Sequence, residues 1–95
     1  MNKTDRIKEI ESIYGEDIAD LVYMLQEKFD HSENDEYMHY VYDSRMLVIQ
    51  FESDDVHISY TIYNKDITKV YVFDSEADYA YYEVALSTVI AQWEK

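Results

Sequence analysis

The apolar residues in the first third of the chain recur at helical spacing. In residues 5 to 14 they stand three and four positions apart, and a second stripe of this kind runs through residues 16 to 29. Gly15, the single glycine, separates the two stripes at a place where a residue with positive φ commonly ends a helix. The pattern therefore predicts two N-terminal helices, one over each segment.

From residue 37 onward apolar and polar residues alternate, which is the period of a β-strand. Four strands are predicted: Tyr37–Asp43, Met46–Glu52, Val56–Tyr63 and Ile67–Phe73. The segments between them are short and polar, and links of two or three residues permit only hairpins. The simplest topology is therefore a four-stranded antiparallel β-meander.

Ser75 and Asp78 match an S-x-x-D capping box, which predicts a last helix running to Trp93. The large side chains of this segment form one stripe at helical spacing: Tyr79, Tyr82, Leu86, Val89, Ile90 and Trp93. A chain of 95 residues fits one domain. We therefore expect a single acidic α+β domain over residues 1 to 95, with two N-terminal helices, a four-stranded antiparallel β-meander and a C-terminal helix packed on the sheet.

The composition adds a strong negative charge to this picture. The net charge is −13, and the 47% of apolar residues is typical of a folded chain rather than a disordered acidic tail. Such a field makes nucleic acid or an anionic membrane an unfavourable direct ligand and favours a cationic partner. The sequence shows neither a signal peptide nor an apolar run of membrane-spanning length, so we expect a cytoplasmic protein.

The meander predicts that three acidic loops meet at one end of the sheet. Loops 31–36, 52–55 and 74–78 should lie together there, with Tyr37 at their edge. Their acids are Glu33, Asp35, Glu36, Glu52, Asp54, Asp55, Asp74, Glu76 and Asp78. The opposite end is nearly balanced in charge. We interpret the acidic loops as a partner-binding surface, although acids also favour loops simply because they are well solvated there.

The second predicted helix carries a further stripe of acids, almost opposite its apolar side. These acids are Glu16, Asp20 and Glu27, and they form a secondary acidic stripe that extends the negative field. A solvated helix face has the same composition.

Catalytic and metal sites are not indicated by any motif. Residues 30 to 41 alternate oxygen donors like a calcium loop, but Asp35 stands where the loop needs glycine and Val41 where it needs glutamate. The three histidines have no metal-ligand spacing, and cysteine is absent. We therefore predict a non-enzymatic protein with no catalytic residues, no metal and no cofactor.

The eleven tyrosines divide between the predicted core and surface. We place Tyr40, Tyr42, Tyr60 and Tyr82 in the core. The outer face of the sheet is then rich in apolar residues: Val41, Met46, Val48, Tyr63, Tyr71 and Phe73. A face of this composition predicts either a homodimer contact or a cover formed by the first helix.

In size, acidity, lack of cysteine and mixed helix-meander plan, the chain resembles the small phage-encoded anti-defence inhibitors, namely the anti-CRISPR proteins and other DNA mimics. The resemblance is one of class and rests on no motif. It implies an inhibitor that binds a basic, nucleic-acid-binding protein, such as a CRISPR nuclease, inside a bacterial host cell, and blocks its nucleic-acid site. Two alternatives remain open: an immunity protein or antitoxin against a basic toxin, and an acidic homodimeric interaction module.

Overall fold

In a computed structural model of the chain, residues 4–30, 36–53, 55–78 and 80–94 are described. These residues form three helices and five strands. In chain order they are α1 (Asp5–Tyr14), α2 (Glu16–Asp30), β1 (Tyr37–Tyr42), β2 (Met46–Glu52), β3 (His57–Tyr63), β4 (Asp66–Asp74), β5 (Tyr81–Ala85) and α3 (Leu86–Trp93). The α+β class, the antiparallel sheet and the C-terminal helix packed on it are confirmed, whereas the predicted number of four strands is wrong.

Helices α1 and α2 follow the predicted boundaries because local signals fix both ends of α1. The Thr4 hydroxyl caps its first turn by accepting a hydrogen bond from the Ile7 N–H at 3.3 Å. Gly15 ends it with a φ of 98°, a conformation that strains any residue with a Cβ atom. The Gly15 carbonyl then accepts a bond from the Ala19 N–H, so α2 begins with no intervening loop.

The five strands form one sheet in the order β1-β2-β3-β4-β5, and every neighbouring pair is antiparallel. One row of paired residues crosses the whole sheet: Tyr40, Ile49, Tyr60, Val72 and Tyr82. The predicted meander is therefore present and is one strand longer than expected.

The predicted C-terminal helix is wrong in its first half. Residues 81–85 form β5 on β4, and α3 begins only at Leu86. Ser75 does not cap a helix, because its N–H donates to the His57 carbonyl and its hydroxyl accepts from the His57 N–H, each at 3.1 Å. The tyrosine and valine of this segment suit a strand, and the open edge of β4 supplies the pairing partner that a sequence pattern does not show.

All three helices pack on one side of the sheet. Side chains from α1, α2 and α3 share a core with the inward-facing strand residues. Tyr40 and Tyr60 are buried as predicted and Tyr42 is half-buried, but Tyr82 is 40% exposed, because it lies on the short edge strand β5.

Helix α1 does not cover the outer face of the sheet. The Arg6 guanidinium lies 4.6 Å from the centre of the inward-facing Tyr40 ring and donates to the Tyr40 carbonyl at 3.1 Å. The Tyr14 hydroxyl donates to the Asp43 carbonyl at 2.7 Å. These contacts hold α1 on the inner side at the β1 edge, so of the two alternatives for the outer face, a cover formed by the first helix is wrong.

Candidate partner-binding site at the acidic end of the sheet

The register of the sheet brings the described residues of the predicted acidic loops to one end. Tyr37 pairs with Glu52, Glu52 pairs with His57, and Asp74 pairs with Ile58. We call this the acidic end and define it by the described acids of those loops: Glu36, Glu52, Asp55, Asp74, Glu76 and Asp78. The remaining predicted acids, Glu33, Asp35 and Asp54, lie outside the described residues.

Glu52 has a structural role at this end. Its carboxylate accepts a hydrogen bond from the Tyr37 hydroxyl and lies 3.2 Å from the His57 Nδ1 atom. The hydrogen bond from Tyr37 is the main reason that the pKa of Glu52 is lowered, and the nearby His57 lowers it further. Tyr37 itself is 52% exposed, with its ring stacked on His39.

Asp74 also has a structural role. Its Oδ1 atom accepts a hydrogen bond from the Glu76 N–H at 3.0 Å, and its own N–H donates to the Ala80 carbonyl. These bonds shape the turn that leads from β4 into β5.

The other four carboxylates of the acidic end are available to a partner. They belong to Glu36, Asp55, Glu76 and Asp78, which are all exposed. Within the described ranges, the structure gives none of these four side chains a hydrogen bond or an ion pair. Among the described residues, no hydrogen bond or ion pair relieves their mutual repulsion, and an external cation would relieve it.

An apolar recess opens beside these carboxylates on the inner side of the sheet. We call it the aromatic recess; its rings are those of Phe29, Phe51, Tyr60 and Trp93. Glu36 also lines it, and its volume is about 270 Å³. The Phe51 and Trp93 rings are nearly parallel with centres 5.6 Å apart, and the Trp93 indole N–H donates to the Tyr60 hydroxyl at 3.2 Å.

The aromatic recess was missed by sequence reasoning. Each of its rings belongs to the apolar side of a separate element, and those elements are far apart in the chain. The clustering of aromatic residues near the ends of α2, β2 and α3 is the only signal that could have suggested it.

A polar recess lies on the other side of the β2–β3 connection. Its lining includes Glu52, Asp55, His57 and Ser75, and its volume is about 370 Å³. The connection thus separates an aromatic hollow from a polar one, and carboxylates border both.

Two helix termini add to the negative field of the acidic end. Both α2 and α3 run toward it, as shown by the Phe29 and Trp93 rings near their last turns packing on Phe51 of β2. Carbonyl ends of helices carry a partial negative charge. One cation lies here, since the Lys28 Nζ atom is 5.9 Å from the centre of the Trp93 ring.

The opposite end of the sheet is formed by turns 43–45 and 64–65, and the two acids that flank these turns, Asp43 and Asp66, are paired. Arg45 lies 3.3 Å from Asp43, and Lys69 lies within 4 Å of both Asp66 and Glu83. Backbone N–H donors lower the pKa of Asp43, and hydrogen bonds from Thr68 lower that of Asp66. The two ends of the sheet therefore differ in how their acids are used.

The predicted secondary stripe lies along the exposed side of α2. Glu16, Asp20 and Glu27 are all exposed, and Glu27 accepts a hydrogen bond from the Tyr23 hydroxyl at 3.0 Å. Glu16 begins the helix at the opposite end of the sheet, so the stripe joins the two ends instead of enlarging the acidic one.

The outer face of the sheet carries a row of aromatic and aliphatic side chains. Tyr63 and Tyr71 meet edge to face at 5.5 Å, and Phe73 contacts both His57 and Tyr81. None of the three helices in the described part of the chain lies on this face. Its most exposed members are Val41 at 58% and Tyr81 at 60%.

The described residues contain no group of three or more side chains arranged to hold a metal ion, and no helix among them is long and apolar enough to cross a membrane. Comparisons of the chain with protein-family models, with curated proteins and with solved structures gave no match. The case for a function therefore rests on the residues of this chain.

Proposed function

We propose that this protein is a non-enzymatic inhibitor that binds a basic, nucleic-acid-binding protein through its acidic end and blocks the nucleic-acid site of that protein. The observation that carries the proposal is the group of exposed carboxylates at Glu36, Asp55, Glu76 and Asp78, which have no internal partner among the described residues. Nucleases of host defence systems are one class of target with a suitable groove.

This protein and a nucleic acid would compete for one set of cations on the partner. A nucleic-acid groove presents lysine and arginine to a line of phosphates, with one charge per roughly 1.7 Å of duplex axis. Carboxylates that lack internal partners can engage those cations with little loss of existing bonds. A field of this sign also speeds encounter with a basic surface and disfavours encounter with an acidic one.

The test uses a matched pair of variants. Asp55→Asn with Glu76→Gln removes two charges from the acidic end, and Glu16→Gln with Asp17→Asn removes two from the opposite end of the molecule. Each immobilised protein is used to capture partners from a nuclease-treated bacterial lysate, and each purified captured protein is then assayed for displacement of labelled duplex DNA.

We expect the wild type and the Glu16/Asp17 variant to capture the same basic proteins and to displace their DNA. The Asp55/Glu76 variant should be weaker by about three- to tenfold, because charges at an interface act mainly on association. Captured proteins that keep their DNA while bound to this protein would contradict the proposal.

A homodimeric interaction module is the second candidate, favoured by the uncovered outer face with Val41 and Tyr81. Two chains of net charge −13 repel each other, so a homodimer strengthens as salt rises, whereas binding to a basic partner weakens. Sedimentation of the protein alone at low and high salt separates the two candidates.

A further inference from the structure

The aromatic recess has the chemistry of a site for a cation. Phe51 and Tyr60, exposed by 7% and 5%, form its inner wall, and the half-buried rings of Phe29 and Trp93 stand at the outside. The face of an aromatic ring carries negative charge density, and Trp attracts cations best. Within the chain itself, the Lys28 Nζ atom already lies 5.9 Å from the Trp93 ring centre.

Negative groups surround the aromatic recess. The exposed residue Glu36 lines it. Burial is the main reason that the pKa of the Tyr60 hydroxyl is raised, and the nearby Asp74 charge makes a smaller contribution in the same direction. The C-terminal ends of α2 and α3 add partial negative charge. An apolar hollow bordered by acids favours a ligand that is itself part apolar and part cationic.

The size of the recess suits a ligand as small as a single side chain. At about 270 Å³ it is smaller than the roughly 300 to 1,000 Å³ of sites for drug-sized ligands. Among cationic side chains, the guanidinium of arginine is planar and weakly hydrated, so it stacks on aromatic rings and also pairs with carboxylates. Arginine is also among the residues that contribute most to interface affinity.

We propose that the aromatic recess receives one arginine side chain of the basic partner, which stacks on the rings and points its charge toward Glu36. This inference rests on the proposed function, because it names the anchor by which the basic partner is held. The exposed carboxylates then govern the rate of association with the partner, and the recess governs the rate of dissociation.

Trp93, the single tryptophan, gives a direct readout. The probe is a peptide of six arginines alternating with glycine, titrated at 50 mM salt while Trp93 emission is followed. The same peptide with citrulline at the arginine positions keeps the shape of the side chain and loses its charge. A version with lysine keeps the charge and loses the planar guanidinium.

The substitutions are matched. Phe29→Leu removes a ring from the recess and keeps an apolar side chain, and Phe73→Leu makes the same change at a half-buried position on the outer face. Glu36→Gln, with Glu16→Gln as its control, changes only exposed positions and serves if Phe29→Leu does not fold. Thermal unfolding establishes which variants are folded.

We expect the arginine peptide to shift Trp93 emission and to bind about three- to tenfold more tightly than the lysine peptide, in line with a cation–π contact. Phe29→Leu should lower the affinity for the arginine peptide by a similar factor, and Glu36→Gln should lower it by about twofold or more. The two control variants should bind the peptide as tightly as the wild type.

Two results would overturn the inference, and they differ in what they say of the proposed function. If arginine and lysine peptides bind equally and Phe29→Leu behaves like Phe73→Leu, the recess is not the anchor, while binding of cations at the acidic end stands. If none of the charged peptides binds at 50 mM salt, the recess and the proposed function fail together.

Discussion

The two ends of the sheet carry the same kind of residue and use it in different ways. At the opposite end, Asp43 Oδ1 accepts hydrogen bonds from the Arg45 and Met46 N–H groups at 2.7 and 3.1 Å, so this carboxylate is part of the turn. At the acidic end, Asp55 and Glu76 receive no such bond from the described residues. The comparison teaches that position and charge alone do not separate structural acids from exposed, unbonded ones, whereas internal hydrogen bonds do.

The largest effect on stability that this comparison predicts is at Asp43. Asp43→Asn keeps the size of the side chain and removes the charge that the two backbone donors and Arg45 favour. We expect the Tm to fall by about 4 to 8 °C, because charge-assisted hydrogen bonds are lost at a tight turn.

Asp55→Asn is the matched change at the acidic end. It should leave the Tm unchanged or raise it slightly, since it removes repulsion and breaks no bond among the described residues. Thermal unfolding of both variants at low salt measures the difference. Equal losses at the two positions would contradict the division between structural and available acids.

A smaller effect is expected at Glu52, the structural acid within the acidic end. Because the Tyr37 hydroxyl lowers the pKa of Glu52 in the folded state, the stability that it contributes is present above the unfolded pKa of about 4.3 and is lost as pH falls through the folded pKa. Tyr37→Phe removes the hydroxyl and keeps the ring. It should therefore be less stable than the wild type at neutral pH.

The difference in Tm between wild type and Tyr37→Phe should shrink as the pH is lowered through the folded pKa of Glu52, because that carboxylate then becomes protonated in both proteins. Other acids titrate in the same range, but they do so in both proteins and cancel in the difference. A gap that stays constant from neutral to acid pH would show that the hydroxyl acts through something other than the Glu52 charge.

Much of the fold could be predicted from the sequence because its signals are local. The helix ends at Thr4 and Gly15 depend on residues within one turn, and the hairpins depend on short polar links. The polarity of the two ends then follows from the meander alone. The segment YYEVA at 81–85 is compatible both with a strand and with a helix that continues into α3. Pairing with the edge of β4 makes it a strand.

The candidate site could be predicted only in part, for a different reason. Charge is visible in a sequence, so the acidic end was foreseen, but hydrogen-bond partners are not. The roles of Glu52 and Asp74 depend on Tyr37 and Glu76, which only the sheet register and the turn geometry bring into place. The aromatic recess joins rings from four elements, and no short stretch of sequence contains it.

The central claim is that the available carboxylates attract a cationic partner. The most direct test is the association rate constant with a captured basic protein, measured by stopped flow at 50 and 500 mM salt, where screening shortens the reach of charges from more than 10 Å to about 4 Å. We predict that the rate falls at least about tenfold for the wild type and for Glu16→Gln with Asp17→Asn, and clearly less for Asp55→Asn with Glu76→Gln. A rate indifferent to salt, or the same salt dependence in all three proteins, would contradict the account.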